Sequence, residues 1–208
     1  MAILLYIHGM GGGADSRIPS ILSEELSRYG IDVVVRTYDF DPEIGARQIS
    51  DWVQELKPSL LIGESLGSLQ ALRISGVPEI FVSPALNTPL YFSVLSWLVI
   101  IPGVSSLFDK IYKPREGDRQ PLHFTHRVLS KYMDHRRAAL AVEHRHEDIF
   151  AFFGAHDHYR RSGIVSIRTW KKYFGDTFTV YEGTHFMEEE FVRTFLVDKV
   201  LSVLDINK

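Results

Sequence analysis

The chain has 208 residues, a net charge of −3 and no cysteine, which excludes disulfides, thiolate metal sites and a cysteine nucleophile. Its 45% hydrophobic and 24% charged residues are typical of a globular protein, and the small net charge gives no reason to expect nucleic acid as a partner. The length predicts one domain. The first residues show no secretion signal, so a cytoplasmic location is the default expectation.

Short apolar runs alternate with segments of helical period along the first part of the chain. Residues 3–7 predict a strand, residues 18–29 a helix that ends at Gly30, and residues 31–37 a second strand. A helix opens at Pro42 and stops before Pro58. A third strand at 60–62, a helix at 66–76 and a fourth strand at 80–82 follow.

The alternation stops at residue 85 and returns near residue 146. A strand is then predicted at 148–153, a helix at 159–174, a sixth strand at 178–181 and a closing helix. Continuous apolar strands between helices are typical of a parallel sheet covered on both faces. The predicted fold class is therefore α/β: a three-layer α/β/α sandwich with a mainly parallel, doubly wound six-stranded sheet. One domain spans residues 1–208, with a helical lid insertion at about 86–146.

Residues 63–67 read Gly-Glu-Ser-Leu-Gly and lie between the third strand and the helical pattern that follows it. A nucleophile elbow requires this context, because a tight strand-to-helix turn leaves no room for side chains at the glycine positions. Such a turn projects the hydroxyl of Ser65 above the sheet and directs helix N-terminal amides to the same place. The alternative is a plain glycine-bearing turn that opens a helix.

The segment His-Gly-Met-Gly-Gly-Gly at residues 8–13 directly follows the first strand. A phosphate-binding loop is one interpretation, but Gly-Lys-Ser/Thr does not follow and the Gly-x-Gly-x-x-Gly pattern does not occur there. A strand, His-Gly-x-Gly and then Gly-x-Ser-x-Gly about fifty residues later resembles the α/β-hydrolase superfamily. The compact arrangement is similar to the small bacterial serine esterases of that superfamily.

The resemblance covers about residues 2–85 and 147–205 and fails over the insertion. It implies an oxyanion hole formed by the backbone N–H groups of Met10 and Leu66, where two fixed donors stabilise the charge of a tetrahedral intermediate. It also implies that the triad acid follows the next-to-last strand and that the histidine follows the last. Asp157 and His185 occupy those positions, just past the carboxyl ends of their strands.

Other polar residues compete for these roles. Loop histidines at 156 and 158 flank the predicted acid, Asp176 lies at the wrong end of the last strand, and Glu64 fits a local hydrogen-bond partner better than a catalyst. The histidines at 123, 126, 144 and 146 are not matched with a carboxylate in a zinc-like spacing, so no metal is predicted.

The insertion is rich in apolar residues from 90 to 108, but its proline, glycine and serines argue against a membrane span. If residues 91–98 are helical, Tyr91, Leu95 and Leu98 share one face. Two interpretations remain open: a lid that supplies the substrate-binding pocket, and a homodimer interface. Nine Lys/Arg against five Asp/Glu between residues 109 and 146 indicate either a solvated helix face or attraction for anionic substrates.

The predicted function is that of a carboxylesterase-like serine hydrolase without a cofactor, which acts on a small-molecule acyl substrate through an acyl-serine intermediate at Ser65. His185 takes the serine proton and Asp157 orients the imidazole. Thioesterase, amidase and C–C hydrolase activities would use the same triad, and an acyltransferase would exclude water after acylation. A catalytically silent binding protein on the same fold is the alternative outside enzymes.

Overall fold

A computed structural model describes residues 2–112 and 117–206, apart from the side chains of residues 105 and 109. It contains one sheet of six strands, all parallel, in the order β2-β1-β3-β4-β5-β6. The strands are β1 (Ala2–Ile7), β2 (Ile31–Val35), β3 (Leu60–Glu64), β4 (Glu79–Val82), β5 (Ile149–Gly154) and β6 (Phe178–Tyr181). The predicted fold class is confirmed. Because β1 lies between β2 and β3, the segments that follow β1 and β3 meet at one edge of the sheet.

Helices cover both faces of the sheet. The described helices are α1 (Arg17–Leu26), α2 (Pro42–Leu56), α3 (Ser68–Ala71), α4 (Thr88–Leu98), α5 (Val104–Ile111), α6 (His126–Ala139), α7 (Tyr159–Ser162), α8 (Ile167–Phe174), α9 (Glu189–Phe191) and α10 (Val197–Val203). Successive strand residues point to opposite faces. Leu5 therefore joins a core with α2, α3, α6 and α8, whereas Leu4 joins a second core with α1 and α10.

Two predicted helices differ from the structure. The helix expected at 66–76 is a 3-10 turn at Ser65–Gly67 followed by the short α3, because turn hydrogen bonds replace the helical ones where the chain bends back toward β4. The helix expected at 159–174 is divided into α7 and α8. Gly163 ends α7 in a left-handed conformation with φ 78°, and the hydroxyl of Ser166 caps α8 by accepting from the N–H of Thr169.

The described part of the insertion is helical. α4 packs on α6, with the rings of Phe92 and Tyr132 4.9 Å apart between their centroids. α6 in turn reaches α2, where the ammonium of Lys131 lies 2.7 Å from the carboxylate of Asp41. None of the helices in the described ranges has both the length and the apolar character needed to cross a bilayer.

Candidate active site

Ser65 lies in a strained turn at the carboxyl end of β3. Its φ of 49° falls in the left-handed region that non-glycine residues seldom adopt, and its side chain is partly exposed. A Cβ on Gly67 would lie 2.3 Å from the carbonyl oxygen of His8, so only glycine fits where the turn crosses the end of β1. The sequence therefore folds into a sharp strand-to-helix turn that leaves Ser65 partly exposed.

A continuous chain of hydrogen bonds joins Ser65, His185 and Asp157. The Nε2 atom of His185 is 2.9 Å from the Oγ of Ser65, and its Nδ1 is 2.8 Å from Oδ2 of Asp157. The other oxygen of Asp157 accepts the backbone N–H of Tyr159 at 2.8 Å. Both Asp157 and His185 are only 3% exposed. The imidazole therefore has one nitrogen fixed by a buried carboxylate and the other directed at the serine oxygen, the arrangement that general-base activation needs.

The loop that carries His185, residues 182–188, is held from both sides. The N–H of Ala155 donates to the carbonyl of Tyr181, which ties the loop to the segment after β5. On the other side, the carboxylate of Glu188 accepts from both the N–H and the hydroxyl of Thr184. Burial alone would raise the pKa of Glu188. The hydrogen bonds from Thr184 and from its own backbone N–H, together with the charge of Arg17, outweigh burial and hold that pKa below its ordinary value. Glu188 thus keeps its charge and fixes the residue before His185.

Residues 8–13, here called the glycine loop, approach Ser65 from the neighbouring strand β1. A Cβ placed on Gly9 would lie 3.1 Å from the Cβ of Ser65. His8 is fully buried, its Nδ1 donates to the carbonyl of Gly9 at 2.8 Å, and burial lowers its pKa. His8 therefore remains neutral and shapes the loop. The N–H of Met10 has no acceptor within the described part of the chain, and the N–H of Leu66 lies in the first turn of its helix, where none is available along the helix.

The competing polar residues lie in other settings. Asp176 pairs with Lys171 on the surface before β6, and His156 pairs with Glu182 in solvent. Glu64 accepts the hydroxyl of Tyr6 at 2.9 Å. His158 is exposed and its ring lies tilted against that of Tyr159. The ring of Tyr159 in turn packs edge to face against that of His185, with 4.6 Å between centroids.

The three residues expected to form a substrate pocket lie on α4 but differ in exposure. Tyr91 and Leu98 are 45% and 49% exposed, whereas Leu95 is partly buried against the core. The hydroxyl of Tyr91 donates to the carbonyl of Ser162, which belongs to α7 in the segment after Asp157. The first turn of α4 is thus tied to the side of the site that carries Asp157.

Several residues around the site were not found from the sequence. Tyr38 donates to the carbonyl of His8 at 2.8 Å, and Gln120 accepts the N–H of Gly11 at 3.1 Å. Both lie far along the chain from the loop they contact, so no local pattern identifies them. Glu188 is closer, four residues after Thr184, but its position resembles that of many surface acids.

No protein-family profile matches the sequence, and no curated protein sequence is similar to it. Solved structures do share its fold. A study of carboxylesterases from the thaumarchaeon Nitrososphaera gargenis provides one, with TM-score 0.57 and 14% identity over 98% of this chain and 91% of that one. Est1E from Butyrivibrio proteoclasticus, solved with ferulic acid, has a TM-score of 0.57 and 16% identity, over 96% of this chain and 90% of that one. A bromoperoxidase from Bacillus anthracis has a TM-score of 0.61 and 13% identity, over 98% of this chain and 92% of that one.

These likenesses show that the chain has the α/β-hydrolase fold, which confirms the resemblance inferred from the glycine loop and the elbow. At such low identity they establish the fold alone. The same fold also occurs in a methylketone synthase from tomato, so the fold by itself does not define the reaction.

Proposed function

We propose that this protein is a serine hydrolase that cleaves a carboxylic ester, or a related acyl bond, through an acyl-Ser65 intermediate. The observation that carries this proposal is the unbroken chain from the hydroxyl of Ser65 through the imidazole of His185 to the buried carboxylate of Asp157. The strained backbone of Ser65 supports it, since strain of this kind persists where the surrounding structure needs a side chain in one place.

The geometry supports a two-step reaction. The Oγ of Ser65 forms a bond to the acyl carbon while its proton passes to Nε2 of His185. As the tetrahedral intermediate collapses, the bond to the leaving group breaks and His185 protonates that group. Water then attacks the acyl-enzyme, gives its proton to His185, and releases the acid as the proton returns to Ser65. Asp157 stays ionised throughout and stabilises the imidazolium that forms in each step.

The N–H groups of Met10 and Leu66 are the proposed oxyanion donors. They belong to segments that follow the adjacent strands β1 and β3, and Gly9 brings the glycine loop against Ser65. Each such donor contributes about 2.7–4 kcal/mol to stabilisation of the transition state in serine hydrolases.

The nucleophile is tested by covalent labelling. A fluorophosphonate probe should add once per chain, on the peptide that contains Ser65, and Ser65→Ala should abolish both labelling and hydrolysis. Ser68→Ala is the matched control because Ser68 lies in the same peptide, but its side chain is buried and donates to the carbonyl of Gly63. Labelling that survives Ser65→Ala, or that disappears only in Ser68→Ala, would refute the assignment.

The substrate class is proposed as a small carboxylic ester. The triad itself acts equally well on thioesters and amides, so p-nitrophenyl esters of increasing acyl length should be compared with acyl-CoA thioesters and anilides. Higher kcat/KM for the esters is the expected result. A preference for the thioesters by more than tenfold would make the protein a thioesterase while leaving the role of Ser65 intact.

We also propose that the exposed face of α4 lines the acyl pocket, because the hydroxyl of Tyr91 anchors this helix beside the triad acid's segment. Leu98→Gln should raise KM for long acyl chains several-fold and leave acetyl esters nearly unchanged. Leu107→Gln, the same change at an exposed position of α5, is the matched control. If the face is a homodimer interface instead, Leu98→Gln will shift the elution volume in size-exclusion chromatography and leave chain-length preference unchanged.

A further inference from the structure

We infer that Gln120, which belongs to the insertion, is a positioning residue for the glycine loop. It holds the N–H of Met10, a residue of that loop, in place for catalysis. This inference rests on the proposed function, because it assigns the loop to the oxyanion hole. It gives the insertion a second role, in the reaction itself, besides any contact with the acyl group.

Gln120 joins two separate segments through its side chain. Its Oε1 accepts the N–H of Gly11 at 3.1 Å, and its Nε2 donates to the carbonyl of Tyr38 at 3.0 Å. Its backbone N–H donates to the carbonyl of Gly12 at 2.8 Å. The side chain is buried, with 2% of the residue exposed. A buried amide that satisfies partners on two loops fixes their separation, since breaking either bond leaves an unpaired polar group away from water.

Tyr38 closes the arrangement on the other side of the loop. Its hydroxyl donates to the carbonyl of His8, and its ring stacks on the imidazole of His8 with 4.6 Å between centroids. Gln120 therefore holds Gly11, Tyr38 holds His8, and the two are bonded to each other. Met10 lies between these two anchored positions, so its N–H direction depends on both.

The backbone on either side of Gln120 also contacts the glycine loop. Gly13 and Arg119 form an antiparallel bridge, and the guanidinium of Arg119 lies 2.7 Å from the carboxylate of Asp15. A Cβ on Gly13 would lie 1.6 Å from the carbonyl oxygen of Asp118, a contact no side chain can occupy. The glycine at position 13 therefore permits the insertion to reach the loop that adjoins Ser65.

The stated role predicts a defect in catalysis with little change in substrate binding. The donor N–H is placed for the oxyanion of the transition state and not for the carbonyl of the bound substrate. Displacing it by about 1 Å therefore lowers the rate up to about 100-fold and has less effect on substrate binding. Gln120→Leu should therefore lower kcat about 10- to 100-fold, with KM within about twofold of its original value. Inactivation by the fluorophosphonate should slow in parallel, because the phosphonyl oxygen uses the same donors.

Gln48→Leu is the matched control. The Oε1 of Gln48 also accepts a backbone N–H, that of Asp39, at 2.8 Å, but its side chain makes no hydrogen bond to the glycine loop. Rates should be normalised to titrated active sites, so that a loss of folded protein is not counted as a loss of kcat. Amide hydrogen exchange of residues 9–13 should accelerate in Gln120→Leu and stay unchanged in Gln48→Leu.

Two further variants keep the inference testable if Gln120→Leu does not fold. Gln120→Asn keeps the amide but is one methylene shorter, so it cannot reach both partners and should show an intermediate loss of kcat. Gly13→Ala disrupts the same contact from the side of the loop. It should also lower kcat with little change in KM, although Gln120 is intact.

The outcomes separate this inference from the proposed function. Normal kcat in folded Gln120→Asn and Gly13→Ala, with the original enzyme active, would overturn the positioning role and leave the Ser65 hydrolase standing. A change in KM alone would also overturn it and place Gln120 in substrate binding. An original enzyme that neither labels nor hydrolyses esters would overturn both proposals together.

Discussion

Two buried histidines face a carboxylate in this structure, one pair at each end of the sheet. At the carboxyl end, Nδ1 of His185 lies 2.8 Å from Asp157. At the amino end, where β4 begins, Nδ1 of His144 lies 3.4 Å from Glu79. All four side chains are almost completely removed from solvent. Burial and residue type are thus nearly the same in both pairs, and the remaining differences lie in their hydrogen-bond partners.

The oxygens of Asp157 have donors, and those of Glu79 do not. Asp157 accepts from the N–H of Tyr159 and from His185. Within the described residues, neither oxygen of Glu79 has a hydrogen-bond partner, and the same holds for Nε2 of His144. Burial raises the pKa of Glu79 well above its ordinary value and lowers that of His144. Burial therefore favours the neutral form of both groups in the amino-end pair.

A buried histidine beside a carboxylate therefore needs more than these two residue types to fill the role proposed for Asp157 and His185. A carboxylate can orient and stabilise an imidazolium only if it remains charged, and in a buried place that requires hydrogen-bond donors directed at it. Asp157 has such a donor in the turn that follows it, and His185 has a serine oxygen on its far side. Within the described residues Glu79 and His144 lack both features, so their proximity does not reproduce the arrangement on which the proposed role of Asp157 and His185 rests.

The largest effect is expected from Asp157→Asn. The amide can offer a donor to Nδ1 and so favours the wrong imidazole tautomer, which leaves Nε2 protonated toward Ser65. In serine proteases the corresponding change lowers kcat about 10⁴-fold, and we expect a loss of the same order here. Steady-state hydrolysis of a p-nitrophenyl ester, with circular dichroism to verify folding, measures it.

Asp176→Asn is the control for this prediction. Asp176 pairs with Lys171 on the surface before β6, so its loss should change kcat less than twofold. If Asp176→Asn and not Asp157→Asn abolishes activity, the acid has been assigned to the wrong loop. If neither does, the hydrogen-bonded chain at Ser65 does not operate as a triad.

The sheet and the residues around Ser65 could be predicted because each has a local pattern. Apolar runs gave all six strands to within two residues at either end, and Ser65, Asp157 and His185 each follow a strand. The helix expected at 66–76 was too long because helical spacing continues past Ala71, where the chain turns back to pair β4 with β3. Tertiary constraints ended that helix where local periodicity did not.

The residues that hold the site in place were not predictable, because their partners are distant in sequence. Gln120 lies 109 positions from Gly11, and Tyr38 lies 30 from His8. Glu79 also gave no signal, since one acid at the start of a strand is ordinary on a surface and only the fold shows that it is buried. Whether an insertion reaches the glycine loop depends on the path of the chain in three dimensions.

The smaller effect is expected from Glu79→Gln, which should raise stability and leave kcat unchanged. The folded pKa of Glu79 exceeds its unfolded value of about 4.3, so the folded state binds this proton more tightly. Its contribution to stability is therefore complete below that unfolded value and is lost as the pH rises toward the folded pKa. Glutamine is neutral at every pH and avoids this loss.

Denaturant unfolding at pH 4 and pH 7 tests this prediction. Each pH unit above about 4.3 over which the folded protein keeps this proton adds about 1.4 kcal/mol to the stability advantage of Glu79→Gln. A carboxyl group that is still neutral at pH 7 therefore makes the variant about 3–4 kcal/mol more stable there, and at pH 4 the difference should nearly vanish. His144→Gln serves as the matched control, because it removes the facing imidazole and keeps the carboxyl group, and should retain the pH dependence.

A charged pair would give the opposite result: Glu79→Gln would destabilise the fold by about 3–5 kcal/mol at pH 7, since it would leave an imidazolium buried without its partner. That outcome would mean that hydrogen-bond donors to the carboxylate do not decide its charge in these two pairs, and that the proposed difference in function arises from Ser65 and not from the charge of the carboxylate.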